Sequence, residues 1–497
     1  MLRIILFIAL VAISTACQKP RFDLLIRNAR VVDGTGSASF LADVAVQADT
    51  IAAIGDLSQA KGLVEIDAEG QVLSPGFIDT HSHHERGMME ARDLLALTSQ
   101  GVTTMIVGQD GSSPFPLTAF FGEVESNPVA INVGSYTGHN TLREAVMAED
   151  FQRFCTAGEL EKMKDMLQQD MQAGSLGLST GLEYDPGIFS NEEEVLALAE
   201  AAAAAGGGYI SHLRSEDRYF WKALEEIIHI GKVTKMPVQI SHAKLAMKSL
   251  WGQAGKVISI LDSARKAGIA ITADVYPYTY WQSTMAVLFP ERDFSDRKMA
   301  EFALSELTTP EGLRINTYTP YPDYVGKTLA EIAAERRTDP PQTLMDLITL
   351  AKKENGRESI IAVSMIEEDV TTLLKWPFSN LCSDGSSTGL HPRGHGSFTK
   401  ILRQYVREEK SITLEEAIHK MSGRAALNLR LEKRGFVKAG FFADLVLFDP
   451  ATVSDHATPE NPLALSSGIS RVWVNGVEVL NSNTPSHRYP GVILRRK

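Results

Sequence analysis

Between residues 102 and 275 the chain alternates short β-prone runs with helix-length amphipathic stretches, and no other feature constrains its fold as much. Strand character is read at 102–107, 130–133, 175–179, 208–212, 237–242 and 269–275, and helix character at 159–172, 191–205, 220–234 and 257–267. Repeated βα units of this length build a parallel sheet covered by helices, and eight of them close a barrel. No glycine-rich dinucleotide fingerprint follows the first strand, which favours a (β/α)8 barrel of the α/β class over an open doubly wound sheet.

The two ends of the chain follow another rhythm. Residues 23–26, 30–32, 43–46 and 51–54 are short β-prone runs punctuated by Gly34, Gly36 and Gly55, and 442–449 and 470–479 repeat the pattern. Neither half-sheet has enough strands to bury a face alone, so the expectation is a small composite β-sandwich domain built from residues 17–72 and 431–497. The barrel then occupies 73–430. Charged and Pro-rich residues at 289–344 break its rhythm and read as an insertion on a βα loop, in the position of a lid. The βα rhythm is read as resuming at 358–365 and ending at 380–385, before a helix at 414–427.

At 497 residues and 44% hydrophobic, the chain can bury a large core. A net charge of −12 argues against nucleic acid or an anionic membrane surface as a partner. Cys17, Cys155 and Cys382 are the only cysteines, too few for a disulfide framework or a Cys-rich zinc module. Residues 1–16 read as a signal peptide: a positive charge at Arg3, an apolar run at 4–13, then small residues before Cys17. This resembles a bacterial lipoprotein signal with Cys17 lipidated, although Ser14 stands where such signals usually carry Leu. The expectation is an exported, periplasmic protein that meets membrane only through its lipid, and Gln18 is compatible with sorting to the outer membrane. Ordinary secretion is the alternative. Oligomeric state is not legible.

In a barrel the site lies at the carboxyl ends of the strands, so the polar residues that end the expected strands are the candidates. They are His81 and His83 after a short buried strand ending at Ile78, Asp110 after 102–107, Glu183 after 175–179, His212, His242 and Asp384. A strand-end histidine alone is more often a hydrogen-bonded loop residue than a ligand, but seven such residues at matching ends suit one or two Zn²⁺-class ions with an open position for water.

With these residues on the page, the sequence resembles the amidohydrolase superfamily, and within it the D-aminoacylase (N-acyl-D-amino-acid deacylase) family. The matching stretches include Ser74-Pro75-Gly76-Phe77-Ile78-Asp79-Thr80-His81-Ser82-His83, Gly181-Leu182-Glu183-Tyr184, Ser211-His212-Leu213-Arg214-Ser215-Glu216, Ser241-His242-Ala243-Lys244, Asp274-Val275-Tyr276-Pro277-Tyr278 and Ser383-Asp384-Gly385. The family usually carries a metal-bridging Cys in a Gly-x-Cys-Gly segment; this chain has Gly108-Gln109-Asp110-Gly111. Asp110 and Glu183 therefore compete as the bridge between metal ions, and the metal count stays open.

The resemblance implies that Asp384 takes a proton from the attacking water and delivers it to the leaving nitrogen. It also implies that Lys244 and Arg393, with Tyr184 and Tyr278, bind the substrate carboxylate and amide, with Ser283 and His395 as weaker candidates. The expected activity is hydrolysis of N-acyl-D-amino acids or of dipeptides ending in a D-residue. A cyclic-amide hydrolase of dihydroorotase or hydantoinase type is the first alternative, and a non-catalytic binding lipoprotein the second.

Overall fold

The computed structural model describes residues 21–496. The expected leader and Cys17 lie outside the described residues, among which no helix is long and apolar enough to cross a membrane.

Eight parallel strands form the barrel: Phe77–Asp79, Val102–Val107, Asn132–Ser135 continued by Thr137–Gly138, Gly177–Gly181, Gly208–His212, Val238–Ile240, Ile271–Val275 and Ser379–Leu381. Each pairs in parallel with its successor. The last returns to the first through a parallel bridge from Ser82 to Gly385, where the Asp384 N–H donates to the His81 carbonyl at 2.8 Å. The third strand is the point of distortion: residues 132–135 pair with Val102–Val107, and after Tyr136 residues 137–138 pair with Gly177–Gly181. Strands such as Val102–Val107 are buried along their whole length, which is why they read as continuous rather than alternating apolar runs. The helices outside begin and end on local signals. Ala157–Ala173 starts at a capping box formed by Thr156 and Glu159 and stops at Gly174, whose φ of 110° opens the left-handed region.

The two termini meet as expected. Val72–Pro75 pairs antiparallel with Leu445–Phe448, joining strands from both ends into a nine-stranded sheet. The sheet folds back so that Thr50 bridges Phe442 and a common core of Ile26, Val44, Leu73, Leu445, Leu447 and Trp473 is enclosed. The final strand, Ile493–Leu494, leaves this domain and lies parallel beside Asn132–Ser135 on the barrel.

The insertion is wider than the expected 289–344. Tyr280–Ser283, Glu358–Val363 and Leu313–Tyr318 form a separate antiparallel sheet with Glu358–Val363 in the middle, and helices Arg297–Phe302, Leu329–Arg336 and Pro340–Lys353 pack with it. The run expected at 358–365 as a returning barrel strand therefore belongs to the insertion. A short apolar run such as Ile360-Ile361-Ala362-Val363 has the same periodicity in either setting. The helix expected at 414–427 is broken at Ser422 into Leu414–Met421 and Gly423–Leu429.

Candidate metal centre

Four imidazoles and three carboxylates converge at the carboxyl end of the barrel. Three of the chain positions that carry them sit in the left-handed backbone region, Asp110 at φ 53°, His242 at φ 34° and Asp384 at φ 49°. Such conformations cost about 1–3 kcal/mol each and persist where the surrounding fold imposes them. Here each turns the chain sharply as it leaves its strand and aims the side chain back over the barrel mouth.

Asp110 stands between two pairs of histidines. One carboxylate oxygen lies 3.4 Å from His81 Nε2 and 3.3 Å from His83 Nε2; the other lies 3.1 Å from His242 Nε2 and 3.9 Å from His212 Nδ1. Asp384 Oδ1 approaches the same two nitrogens of His81 and His83 at 3.5 and 3.4 Å. Of the two competing bridge positions, Asp110 is the one placed between the pairs. Glu183 lies behind His212, accepting from its Nε2 at 3.1 Å and from the Glu216 backbone N–H at 2.7 Å.

A second layer holds the outer ring nitrogens. His212 turns Nδ1 toward His242 and Nε2 toward Glu183, while His242 turns Nε2 toward Asp110 and Nδ1 toward Glu216 at 3.1 Å. A carboxylate behind each imidazole fixes its orientation and raises its basicity as a ligand. Glu216 also grips Lys244 Nζ at 2.6 and 2.7 Å. The sequence offers one signal for Glu216, an acid four residues beyond the candidate ligand His212.

The electrostatics follow from this crowding. Burial would raise the Asp384 carboxyl, but Arg393 first, then His242 and His81, outweigh it and hold the group well below the ordinary carboxylate range. Asp110 is likewise held low against burial by His81 and His242. Burial opposes a charge on His83, yet Asp110 and Asp384 raise it to about 10. A centre that draws a proton onto His83 this strongly is one that favours cations.

The donor set fits a divalent metal of the zinc class. His81 is fully buried and neither ring nitrogen has a hydrogen-bond partner, an arrangement that costs free energy unless a cation takes Nε2. Ligand atoms of His81, Asp110, His242 and Asp384 lie within 4.8 Å of one another, as do those of His212, Glu216 and His242.

Above the centre a cleft of about 570 Å³ opens between the barrel and the insertion, lined by His83, Asp110, Tyr184, Ser283, Asp384 and Arg393, with Lys352, Glu358 and Ser359 from the insertion. Lys244 faces an adjoining recess with Tyr184, Ser283 and Arg393. Two expected substrate residues are elsewhere. Tyr278 is buried behind the cleft wall, packed 5.3 Å from the His391 ring, with its hydroxyl donating to the Pro392 carbonyl at 3.4 Å. Tyr276 approaches the centre instead, its ring beneath both Lys244 Nζ and the Arg393 guanidinium. The strand ends at Val275, so two-residue alternation does not carry the side chain of Tyr278 to the site. His395 does not line the cleft either: it follows Arg393 by two on the helix Arg393–Lys400, and residues two apart do not share a helix face.

The amidohydrolase family model matches residues 64–344 and 325–480. The chain belongs to the amidohydrolase family. Among curated relatives it is 36% identical to the N-acyl-D-glutamate deacylase of Alcaligenes xylosoxydans xylosoxydans, over 96% of this chain and 98% of that one. It is 33% identical to the D-aminoacylase of the same organism, with 96% and 98% covered. Among solved structures, D-aminoacylase superposes with a TM-score of 0.86 at 33% identity, covering 96% of this amidohydrolase and 100% of that chain. N-acyl-D-glutamate deacylase from Bordetella bronchiseptica, complexed with zinc and a phosphonate that mimics the tetrahedral intermediate, gives 0.86 at 34%, with 96% and 100% covered. A D-hydantoinase, at 0.59 and 15% identity, shares the amidohydrolase fold alone.

Proposed function

We propose that this amidohydrolase cleaves the amide of N-acyl-D-amino acids, including dipeptides with a C-terminal D-residue, releasing a carboxylic acid and a free D-amino acid. One observation carries the reading: a His/Asp centre at the base of a cleft has two buried cations, Lys244 and Arg393, at its edge. That is a scissile-carbonyl site beside a carboxylate site.

His81, His83, Asp110, His212, His242 and Asp384 would hold one or two zinc ions, with Glu183 and Glu216 behind the last pair of imidazoles. When bound, such an ion polarises the acyl carbonyl and makes water a nucleophile near neutral pH. Asp384, kept ionised by Arg393, has Oδ1 directed at the His81 and His83 nitrogens, where it accepts the proton of the attacking water. The same carboxyl then gives that proton to the amide nitrogen as the C–N bond breaks. Arg393 presents a planar fork to the substrate carboxylate, whereas Lys244 is a point charge held ready by Glu216. Tyr184 and Ser283 form the wall nearest both.

The test is amine release from paired N-acetyl-D- and N-acetyl-L-amino acids and D-terminal dipeptides, with and without chelator. Chelator-sensitive release from the D-series alone is expected. Release from cyclic amides instead, or equal release from both enantiomers, overturns the reading.

We also propose that residues 1–16 direct export to the periplasm and that Cys17 carries the lipid that tethers the protein, with Gln18 favouring the outer membrane. The composition before Cys17 supports this. Cys17→Ser should move the protein from the membrane to the soluble fraction; an unchanged membrane fraction overturns it.

A further inference from the structure

The barrel has a second cavity at the opposite end from the metal centre. It measures about 570 Å³ and lies among the amino-terminal ends of the strands, roofed by residues 428–434 and the tail at 492–496. Gly208 lines it, and the strand that Gly208 begins ends at His212, so about 13 Å of strand separates the two sites.

Its charge is opposite to that of the chain. In a protein of net charge −12, the lining carries Arg430, Lys433, Arg434, Arg495 and Arg496 against the single acid Glu432. Two of these cations are already committed to carboxylates, Arg434 to Asp444 and Arg495 to Glu125. Arg430 is not: among the described residues its one side-chain hydrogen bond is a 3.4 Å contact from Nη2 to the Gly207 carbonyl, and Lys433 makes no ion pair or side-chain hydrogen bond there. Tyr136 borders the same space. The remaining wall is mixed, with an apolar part from Leu176, Val238, Leu429 and Leu494 beside the polar side chains of Gln239, Thr272 and Asn428.

Gly208 keeps the cavity open. A glycine weakens a strand relative to alanine and marks a close backbone approach or a place that something else must enter. Here no close approach demands it. A Cβ built at Gly208 meets nothing nearer than the Pro237 carbonyl at 3.7 Å and the Tyr136 hydroxyl at 3.8 Å, so a side chain would fit and would occupy the cavity. Its neighbour Gly207 differs, because a Cβ there would press on Met171 at 2.7 Å.

We propose that this cavity is a binding site for a compact organic anion, a single carboxylate on an apolar body, with Arg430 and Lys433 holding the charge and Gly208 leaving room for the apolar part. The site shares no residue with the metal centre, so it stands whether or not the deacylase reading does.

The experiment is calorimetric titration of the zinc-loaded mature protein with benzoate and, separately, with inorganic phosphate. Benzoate should bind one to one, and an Arg430→Gln/Lys433→Gln variant should bind it at least roughly tenfold more weakly with unchanged zinc content and kcat/KM. Gly208→Leu, which leaves every charge in place, should abolish benzoate binding while preserving the fold by circular dichroism. Benzoate binding that survives both variants overturns the proposal, as does no binding at all. Phosphate binding as tightly as benzoate also overturns it, because the apolar wall would then contribute nothing.

Discussion

Arg393 Nη1 lies 2.5 Å from Asp384 Oδ2, so one oxygen of the carboxylate is occupied by a guanidinium and the other is left facing His81 and His83. This single contact ties the proton-transfer group to the substrate-binding cation. Arg393→Lys keeps the charge but loses the fork. The expected outcome is a rise in KM together with a fall in kcat of about 10–100-fold, since the group that orients Asp384 is weakened as well as the carboxylate contact. Steady-state kinetics on an N-acyl-D-amino acid decides it; a change confined to KM would separate the two roles.

Asp384→Asn removes the base and leaves the shape. Turnover should fall by about 10²–10⁴-fold, the range for loss of a general acid–base group, with the fold intact. Near-normal turnover in zinc-loaded protein would take Asp384 out of the proposed role.

Glu216→Gln tests the layer behind the ligands. It replaces the carboxylate behind His242 Nδ1 by an amide and should weaken zinc binding by about 10–100-fold, read by competition against a chromophoric chelator. Glu183→Gln should act the same way through His212. Asp110→Asn should do more and lower the metal stoichiometry itself, because its two oxygens face both histidine pairs. If Glu183→Gln lowered stoichiometry and Asp110→Asn did not, the assignment of the bridge would be reversed.

Glu358, in the middle strand of the insertion sheet, gives a pH signature. Burial raises its carboxyl from the ordinary 4.5 to about 7, against hydrogen bonds from the Met285 backbone. The folded state therefore holds a proton that the unfolded state has released between about pH 4.5 and 7. Its contribution is fully present below 4.5, falls as pH rises through that window and is gone above 7. Glu358→Gln should flatten this decline, so the Tm of the variant gains on the wild type between pH 5 and pH 7.5. A constant Tm difference would show that Glu358 ionises normally.

Chain packing beneath the cleft depends on one buried network. Arg143 and Glu194 are both almost fully buried and paired, with His139 donating to the same carboxylate at 2.8 Å. Arg143→Met leaves a buried carboxylate uncompensated and should cost about 3–5 kcal/mol in chemical denaturation. Adding Glu194→Leu should recover part of that loss, because the cost is the unpaired charge rather than the missing contact.

The sequence alone determined the barrel, the seam between the two chain ends and the common strand-end position of six of the seven candidate residues, because period-two and period-3.6 patterns and strand-end polarity are local properties. His81, His83, His212 and His242 needed no tertiary information: each ends or follows a strand whose direction in the barrel is fixed by the parallel βα rule. What lay outside that logic was decided only by three-dimensional packing. Glu183 and Asp110 are equally good carboxylates on paper, and only the left-handed turn at Asp110 puts it between the imidazoles while Glu183 falls behind His212. Tyr278 and His395 failed for the same kind of reason: spacing rules hold within one element, and the strand stops at Val275 while a helix starts at Arg393. The run at 358–363 could join either sheet, since an apolar strand carries no label for its partner. Local chemistry names the groups; the chain's turns between elements decide which atoms meet.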